Sequence, residues 1–401
     1  MQYRRFGRLD WRASVLGFGA MRLPVLQDEH GELLHGKIDY PAATAMLRYA
    51  IDHGVNYIDT AYVYHEGASE TWLKHALADG YRDKVKISTK LPIWNVKTIA
   101  DCDRLLDEQR QRLGVEQVDF YLLHDAGGDN WERVREVGIL DWCDKILAAG
   151  LIGHIGFSFH GDLPLWTEVL DAYDNWTFCQ MQYNFMDEEA DRGRGGLDEQ
   201  GCVSEGRGGE VGRQGLHLAA EKGLAVIVME PLRGGQLTKR LPPSVADLWA
   251  QAPVQRTPAE WALHWVWSQP EVTLLLSGMS SMEQVEQNIV TADQARPGLL
   301  TAAELELVGR VRDEYRSLVP IDCTQCRYCQ PCPNGVDIPQ CFEIYNDAEI
   351  YSELRMARLY YSWIKEPARA DKCTQCGECE QVCPQKIAII DSLREVDALL
   401  S

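Results

Sequence analysis

The chain has 401 residues, 45% of them hydrophobic, and carries 40 Lys and Arg against 60 Asp and Glu, enough for one large core and a small appendage. A formal net charge of -20 gives the nonspecific attraction to nucleic acid and to anionic lipid the wrong sign, and no apolar stretch approaches the roughly 20 residues that a membrane helix needs. Neither nucleic acid nor membrane is expected as a partner. No apolar leader precedes the start at Met1-Gln2-Tyr3-Arg4-Arg5, so a reducing cytoplasm is the expected compartment.

Residues 1–12, with Gly7 at a turn, read as a hairpin that closes the floor of the N-terminal domain. Short apolar runs then predict strands at 14–19, 57–59, 86–90, 118–124, 152–158, 179–183, 225–229 and 273–277, with helical periodicity between them, as at 42–53, 100–113, 259–268 and 282–291. Eight strand-helix units over roughly 290 residues match an α/β (β/α)8 TIM barrel in count and length. Residues 192–214, rich in Gly and charge, read as a flexible surface insertion. Thr301 with Glu304 three residues on starts a capping helix over 301–318. A barrel domain at 1–318 and a smaller domain at 319–401 are expected, divided near Val319-Pro320.

The tail carries two cysteine runs: Cys323, Cys326, Cys329 and Cys332-Pro333, then Cys373, Cys376, Cys379 and Cys383-Pro384. Three evenly spaced thiolates can wrap one iron-sulfur cube while the Cys-Pro thiolate ligates its neighbour, so the tail reads as holding two 4Fe-4S clusters. A zinc ribbon needs only two pairs, and a disulfide framework fits poorly with a compartment kept reducing. The first run ends one residue short of the usual spacing, which leaves Cys332 or Cys341 as its last ligand, Cys341 reading more as a buried thiol. Helical spacing over 342–365 favours a mainly helical ferredoxin-like module.

Chemistry in such a barrel belongs at the C-terminal strand ends. Asp59, Lys90 and His124 close predicted strands there, and Tyr64 follows five residues after Asp59. Tyrosine is a weak acid unless a cation supports its phenolate; Lys90 supplies one, Asp59 keeps that ammonium charged, and His124 can donate to a substrate oxygen. The set suits carbonyl reduction or alcohol oxidation on a small molecule.

The segments "YIDTAYVYHEGASE", "KISTK" and "VDFYLLHD" resemble the aldo-keto reductase family over about residues 1–315, in a subgroup with a fused C-terminal 4Fe-4S ferredoxin-type domain. The resemblance implies Asp59, Tyr64, Lys90 and His124 as the catalytic tetrad and a nicotinamide cofactor across the barrel mouth. It implies cofactor contacts at Gly19, Ala20, Met21, Ser158, Gln182, Pro231, Leu232, Gly234, Gly235, Ser277, Gly278, Gln284, Gln287 and Asn288. Phe159-His160 stand where relatives place Asn beside the serine. Gly278, Met279 and Gln284 stand where a basic grip on the 2'-phosphate is common, which leaves both NADP and NAD open. Arg22, Tyr62, Trp94 and Trp131 are expected near the substrate pocket. An NAD(P)H-dependent carbonyl oxidoreductase is therefore the leading expectation. The alternative is an iron-sulfur electron-transfer protein, with a redox partner, whose barrel is a nicotinamide-binding or docking scaffold. A noncatalytic ligand sensor is a third reading, against which the intact Tyr64 and Lys90 speak.

Overall fold

The computed structural model describes residues 1–27, 33–189, 211–238, 240–323, 328–383 and 385–401. Strands β1 (Tyr3–Arg5) and β2 (Arg12–Ser14) form an antiparallel hairpin, and β4 (Val25–Gln27) and β5 (Leu33–Ile38) form another. The remaining strands are β3 (Leu16–Gly19), β6 (Tyr57–Asp59), β7 (Lys86–Pro92), β8 (Val118–His124), β9 (Ile152–Phe159), β10 (Phe178–Gln182), β11 (Ala225–Met229) and β12 (Val272–Ser277). These eight close into a barrel in the order β10-β11-β12-β3-β6-β7-β8-β9, paired in parallel throughout. The fold is a TIM barrel.

Helices alternate with the strands: α1 (Tyr40–Asp52), α2 (Ala68–Ala76), α3 (Ile99–Leu113), α4 (Gly128–Val137), α5 (Ile139–Ala148), α6 (Leu163–Asp171), α7 (Gly212–Glu221), α8 (Pro243–Ala250), α9 (Pro258–Trp267) and α10 (Met282–Asp293). Most bury an apolar stripe, as Cys102, Leu105, Leu106 and Leu113 do on α3, whereas α9 is buried all round from Trp261 to Trp267. The barrel floor is closed by Phe6, fully buried among Tyr57, Phe120 and Phe178, its ring 4.6 Å from that of Phe120. Gly7 makes this plug feasible: its φ is +53°, and a Cβ there would lie 2.6 Å from the Ala225 nitrogen.

Helix α11 (Ala302–Ser317) carries the expected capping box, Thr301 accepting from Glu304 N and Glu304 reaching back to the Thr301 nitrogen. Beyond it lie α12 (Ile338–Tyr351), α13 (Leu354–Trp363), α14 (Glu378–Val382) and α15 (Ile389–Leu400). Ile321, Val336, Phe342, Tyr361, Ile389 and Leu393 are among the residues of a second apolar core, and the far end of α12 places Tyr351 in the main core instead. Among the described residues no helix is long and apolar enough to cross a membrane.

Two expectations need correction. The stretch 14–19 is not one strand, because residues 12–14 pair with the N-terminal hairpin and the barrel strand begins at Leu16. The segment 342–365 is helical as expected, in two helices, the first starting at Ile338 under an Asp337 cap and the second after Ser352, whose φ of +49° ends the first. Most of the insertion expected at 192–214 lies outside the described residues, but its last residues open α7. Val211, Gly212, Gly215 and Leu216 are buried there, and Gly215 O accepts from Trp166 Nε1 at 3.1 Å.

Candidate active site

Adjacent strands β6 and β7 deliver Asp59 and Lys90 to the barrel mouth. The Lys90 ammonium donates to Asp59 Oδ1 and Oδ2 at 2.7 and 2.8 Å and to the Thr60 carbonyl at 2.8 Å. Lys90 is 1% and Asp59 2% exposed, so each charge depends on the other for compensation. The Tyr64 hydroxyl lies 3.3 Å from Lys90 Nζ, which also sits 4.8 Å over the tyrosine ring. The His124 ring stands edge-on to that of Tyr64, with centroids 6.3 Å apart. The structure thus brings together all four residues that the sequence places in the tetrad.

Local backbone geometry aims Tyr64. His65, Glu66 and Gly67 follow it with φ of 51°, 56° and 88°, a left-handed run that reverses the chain in one turn. Leu23 N donates to His65 Nε2 at 3.3 Å, tying this turn to the loop after β3. Behind Lys90, Glu70 Oε1 accepts from Thr89 Oγ1 at 2.6 Å and Gln109 Nε2 at 2.8 Å, while the same Gln109 nitrogen reaches the Lys90 carbonyl at 3.0 Å and Tyr121 donates to Gln109 Oε1 at 2.7 Å. Sequence reasoning missed this supporting network, since polar helix residues usually face water and nothing local marks Glu70 and Gln109 as buried.

Burial opposes charge on Lys90, but Asp59 and the Tyr64 oxygen outweigh it and hold the ammonium above its ordinary value. Burial raises the Tyr64 hydroxyl above its usual value against the pull of Lys90, so at neutral pH it is a phenol. Burial, with Lys90 and His160 nearby, pushes His124 well below the usual histidine value, leaving a neutral imidazole. Its Nδ1 has no hydrogen-bond partner among the described residues.

The residues that the resemblance assigns to a cofactor lie on the strand ends and turns around this centre and on α10. A Cβ on Gly19 would come 3.3 Å from the Ser277 carbonyl, and Ala20 N donates to Asp59 O at 2.8 Å. Met21 stands at the rim, 50% exposed. Ser158 Oγ accepts from Asp125 N at 2.8 Å, which leaves its hydroxyl proton to give. Gln182 Nε2 donates to Asp187 Oδ2 at 2.8 Å. After β11 the segment Pro231, Leu232, Arg233, Gly234 and Gly235 makes a tight turn, Gly235 N donating to Leu232 O at 2.9 Å, with φ of 68° and 94° at the two glycines. On α10, Asn288 is turned inward to Ser277 Oγ at 3.0 Å, Gln284 Oε1 caps Ser280 N at 2.8 Å, and Gln287 pairs with Glu283 on the exposed face.

Of the aromatic residues expected near a pocket, Trp94 packs 4.8 Å from His124. Trp131 is fully buried and donates to Glu168, and Tyr62 donates to Glu108 at 2.8 Å, so both serve packing and surface ties. Arg22 is part-buried and pairs with Glu230 at 3.5 Å; its stem carbons lie 3.2 Å from where a Gly278 Cβ would stand, and its Nη2 the same distance from a Gly234 Cβ.

In the tail, Cys323, Cys329, Cys332, Cys373, Cys379 and Cys383 pack at the edge of the second core, and Cys376 is exposed. Cys326 lies outside the described residues. Burial lifts the Cys379 thiol to about 11, with Glu380, Cys332 and Cys373 close enough to add to it. The end of the first run therefore lies beside the second run, and the Asn334 amide donates to Thr374 Oγ1 at 2.6 Å across the same join. Cys341 is fully buried, its thiol 3.7 Å from the Ala368 carbonyl. Among the described residues no three His, Cys, Asp or Glu side chains already close on one point that would hold an ion.

The aldo/keto reductase family model matches residues 15–199, and a 4Fe-4S dicluster domain model matches 322–388. The barrel is an aldo/keto reductase domain. The tail is a 4Fe-4S dicluster domain, and the chain is an oxidoreductase of the aldo/keto reductase type. It is 34% identical to methylglyoxal reductase YeaE of Escherichia coli over 117 residues, 28% of this chain and 38% of that protein. It is 23% identical to the uncharacterized oxidoreductase YqkF of Bacillus subtilis over 76% of this chain and 95% of that one. An aldo-keto reductase from Klebsiella pneumoniae, solved in complex with NADPH, shares the fold with a TM-score of 0.56 at 22% identity, over 78% of this chain and 95% of its own. In this aldo/keto reductase barrel the residues that sequence reasoning missed, Glu70, Gln109 and Tyr121, brace the strand that carries Lys90, Gln109 reaching the Lys90 carbonyl.

Proposed function

We propose that the protein reduces a small aldehyde or ketone to an alcohol, or runs the reverse, with NADPH or NADH, and that its tail holds two 4Fe-4S clusters. The observation that carries the reading is the buried Lys90 ammonium, clasped by Asp59 and 3.3 Å from the Tyr64 hydroxyl. The strand ends and turns around it fit a nicotinamide dinucleotide: Ser158 has a hydroxyl proton to give, and the turn at Gly234 and Gly235 suits backbone approach to phosphate. Gly19, Ala20, Met21, Ser158 and Gln182 would flank its nicotinamide end, Pro231, Leu232, Gly234 and Gly235 its pyrophosphate, and Ser277, Gly278, Gln284, Gln287 and Asn288 its adenosine. A reduced nicotinamide supplies the hydride. Tyr64 holds the proton that the carbonyl oxygen receives, Lys90 stabilises the phenolate left behind, and Asp59 keeps Lys90 charged. Neutral His124 donates a hydrogen bond to the same oxygen.

The NADPH-bound Klebsiella neighbour and the methylglyoxal reductase support the cofactor class and a small carbonyl substrate. Arg22 beside Gly278 would be the nearest cation to residues 278–284, which carry none, though its guanidinium pairs with Glu230 at 3.5 Å. For the module, taken as residues 319–401, the eight ligands are Cys323, Cys326, Cys329, Cys332, Cys373, Cys376, Cys379 and Cys383. The proximity of Cys332 to Cys373 and Cys379 supports the ligand exchange of two-cluster ferredoxins, and the burial of Cys341 supports its reading as a core thiol. The test is oxidation of NADPH and NADH by anaerobically purified protein against a panel of aldehydes and ketones. Turnover with at least one carbonyl is expected, and inertness toward the whole panel with both dinucleotides contradicts the reading.

A further inference from the structure

We infer that Arg233 is a positioning residue through which the docked C-terminal module sets the barrel's grip on its dinucleotide. The inference rests on the proposed function and concerns the turn after β11. Arg233 has a φ of +48°, and Glu230 before it +51°. Non-glycine residues hold that conformation only where their surroundings impose it. What imposes it here is the arginine side chain, which is 9% exposed and runs into the joint between barrel and module.

On the module side, Nη1 donates to the Tyr351 hydroxyl at 3.0 Å and lies 3.6 Å from Asp347 Oδ1, both on α12. On the barrel side, Nε is 3.9 Å from Asp187 Oδ2, beyond hydrogen-bond reach but within ion-pair range. One buried cation thus sits between a carboxylate from each part of the molecule. The same Asp187 oxygen accepts from Gln182 Nε2 and Asn184 Nδ2, both at 2.8 Å. Gln182 flanks the proposed nicotinamide end, and the turn holding Arg233 sets the backbone at Gly234 and Gly235 beside the proposed pyrophosphate, with Gly235 N already given to Leu232 O. α13 approaches this turn as well: a Cβ on Gly234 would lie 3.7 Å from the Tyr360 hydroxyl and 3.2 Å from Arg22 Nη2.

The chain of contacts has two ends. Removing the Asp347 charge leaves a buried guanidinium with Asp187 as its main carboxylate, which draws Arg233 toward the barrel, competes with Gln182 for Asp187 and releases the strained turn. The nicotinamide and pyrophosphate parts of the dinucleotide site lose their preset geometry while the Asp59, Tyr64, Lys90 and His124 cluster is untouched. Binding coupling is reciprocal, so a bound dinucleotide also tightens the docking of α12.

The test uses full-length, cluster-loaded protein and reads dinucleotide affinity directly, by NADPH and NADH fluorescence titration without a carbonyl, for wild type, Asp347→Asn, Tyr351→Phe and Tyr64→Phe. Asp347→Asn is expected to weaken binding tenfold or more and Tyr351→Phe severalfold. Tyr64→Phe should bind like wild type, and the carbonyl KM at saturating dinucleotide should stay unchanged in Asp347→Asn. Hydrogen exchange over 338–363 should slow on dinucleotide addition in wild type and respond less in Asp347→Asn. Affinity within twofold of wild type in a fully iron-loaded Asp347→Asn protein overturns the inference. If that variant loses iron or folds poorly, Tyr351→Phe decides on the same criterion. A wild type that binds neither dinucleotide overturns the proposed function itself, and the coupling with it.

Discussion

The barrel mouth and the cysteine module are both polar sites set on apolar cores, yet they are built in opposite ways. At the mouth protein groups already hold the charged centre: Lys90 is clasped by Asp59 and Thr60, and the strand behind it is held by Glu70 and Gln109, while His124 Nδ1 keeps no partner among the described residues. In the module six of the described thiols, Cys323, Cys329, Cys332, Cys373, Cys379 and Cys383, pack at the edge of a small core, and Cys376 is exposed, where the proposed clusters would bind them. A site of the first kind is preorganised by its own hydrogen bonds, whereas a site of the second kind is completed by what it ligates, and its folding is linked to that ligation.

The contrast breaks most visibly at the cysteines. Cys379→Ser, or removal of iron by a chelator, should open residues 319–401 to protease while the barrel keeps its circular dichroism. A module that stays protected without iron would place it in the same class as the mouth. At the mouth, Lys90→Met strands Asp59 as a buried charge and should cost about 3–5 kcal/mol of barrel stability, read by denaturant titration, with the iron content unchanged.

The pH dependence sharpens the same comparison. Tyr64 is held above its ordinary value and must be protonated to give its proton, while Lys90, also raised, must stay charged. His124, held low, must stay neutral. The kcat for reduction should therefore be flat from roughly pH 7 to 9 and fall only above about pH 10, the reference value for tyrosine. A loss centred near neutral pH would contradict the assignment. Lys90 works in the same direction on stability, its contribution being present below the ordinary lysine value and lost as pH rises through the higher folded one. The smallest effect belongs to the helix leading from barrel to module: Thr301→Ala removes the α11 cap and should lower stability by about 1 kcal/mol, measured by thermal unfolding.

Much of the barrel was legible because its strands are short apolar runs with sharp polar ends. The bounds expected for β6, β8 and β11 coincide with those observed. The tetrad was legible because each member sits at or just after such an end. The β4 and β5 hairpin was missed, since Val25–Gln27 and Leu33–Ile38 have little apolar alternation and are defined by their mutual pairing. The joint at Arg233 was illegible for a different reason. Its partners Asp187, Asp347 and Tyr351 span more than one structural unit, and no local spacing relates them. The same holds for the approach of Cys332 to Cys379 and of Asn334 to Thr374, which the spacing within each cysteine run does not reveal.

The central claim is that the mouth is a complete carbonyl-reducing site. The measurement that tests it most directly is the kcat of Tyr64→Phe with NADPH or NADH and the best carbonyl, set beside its dinucleotide affinity. Loss of the proton donor should lower kcat by about 10²- to 10⁴-fold with affinity and iron content unchanged. A Tyr64→Phe protein that turns over at the wild-type rate would contradict the account.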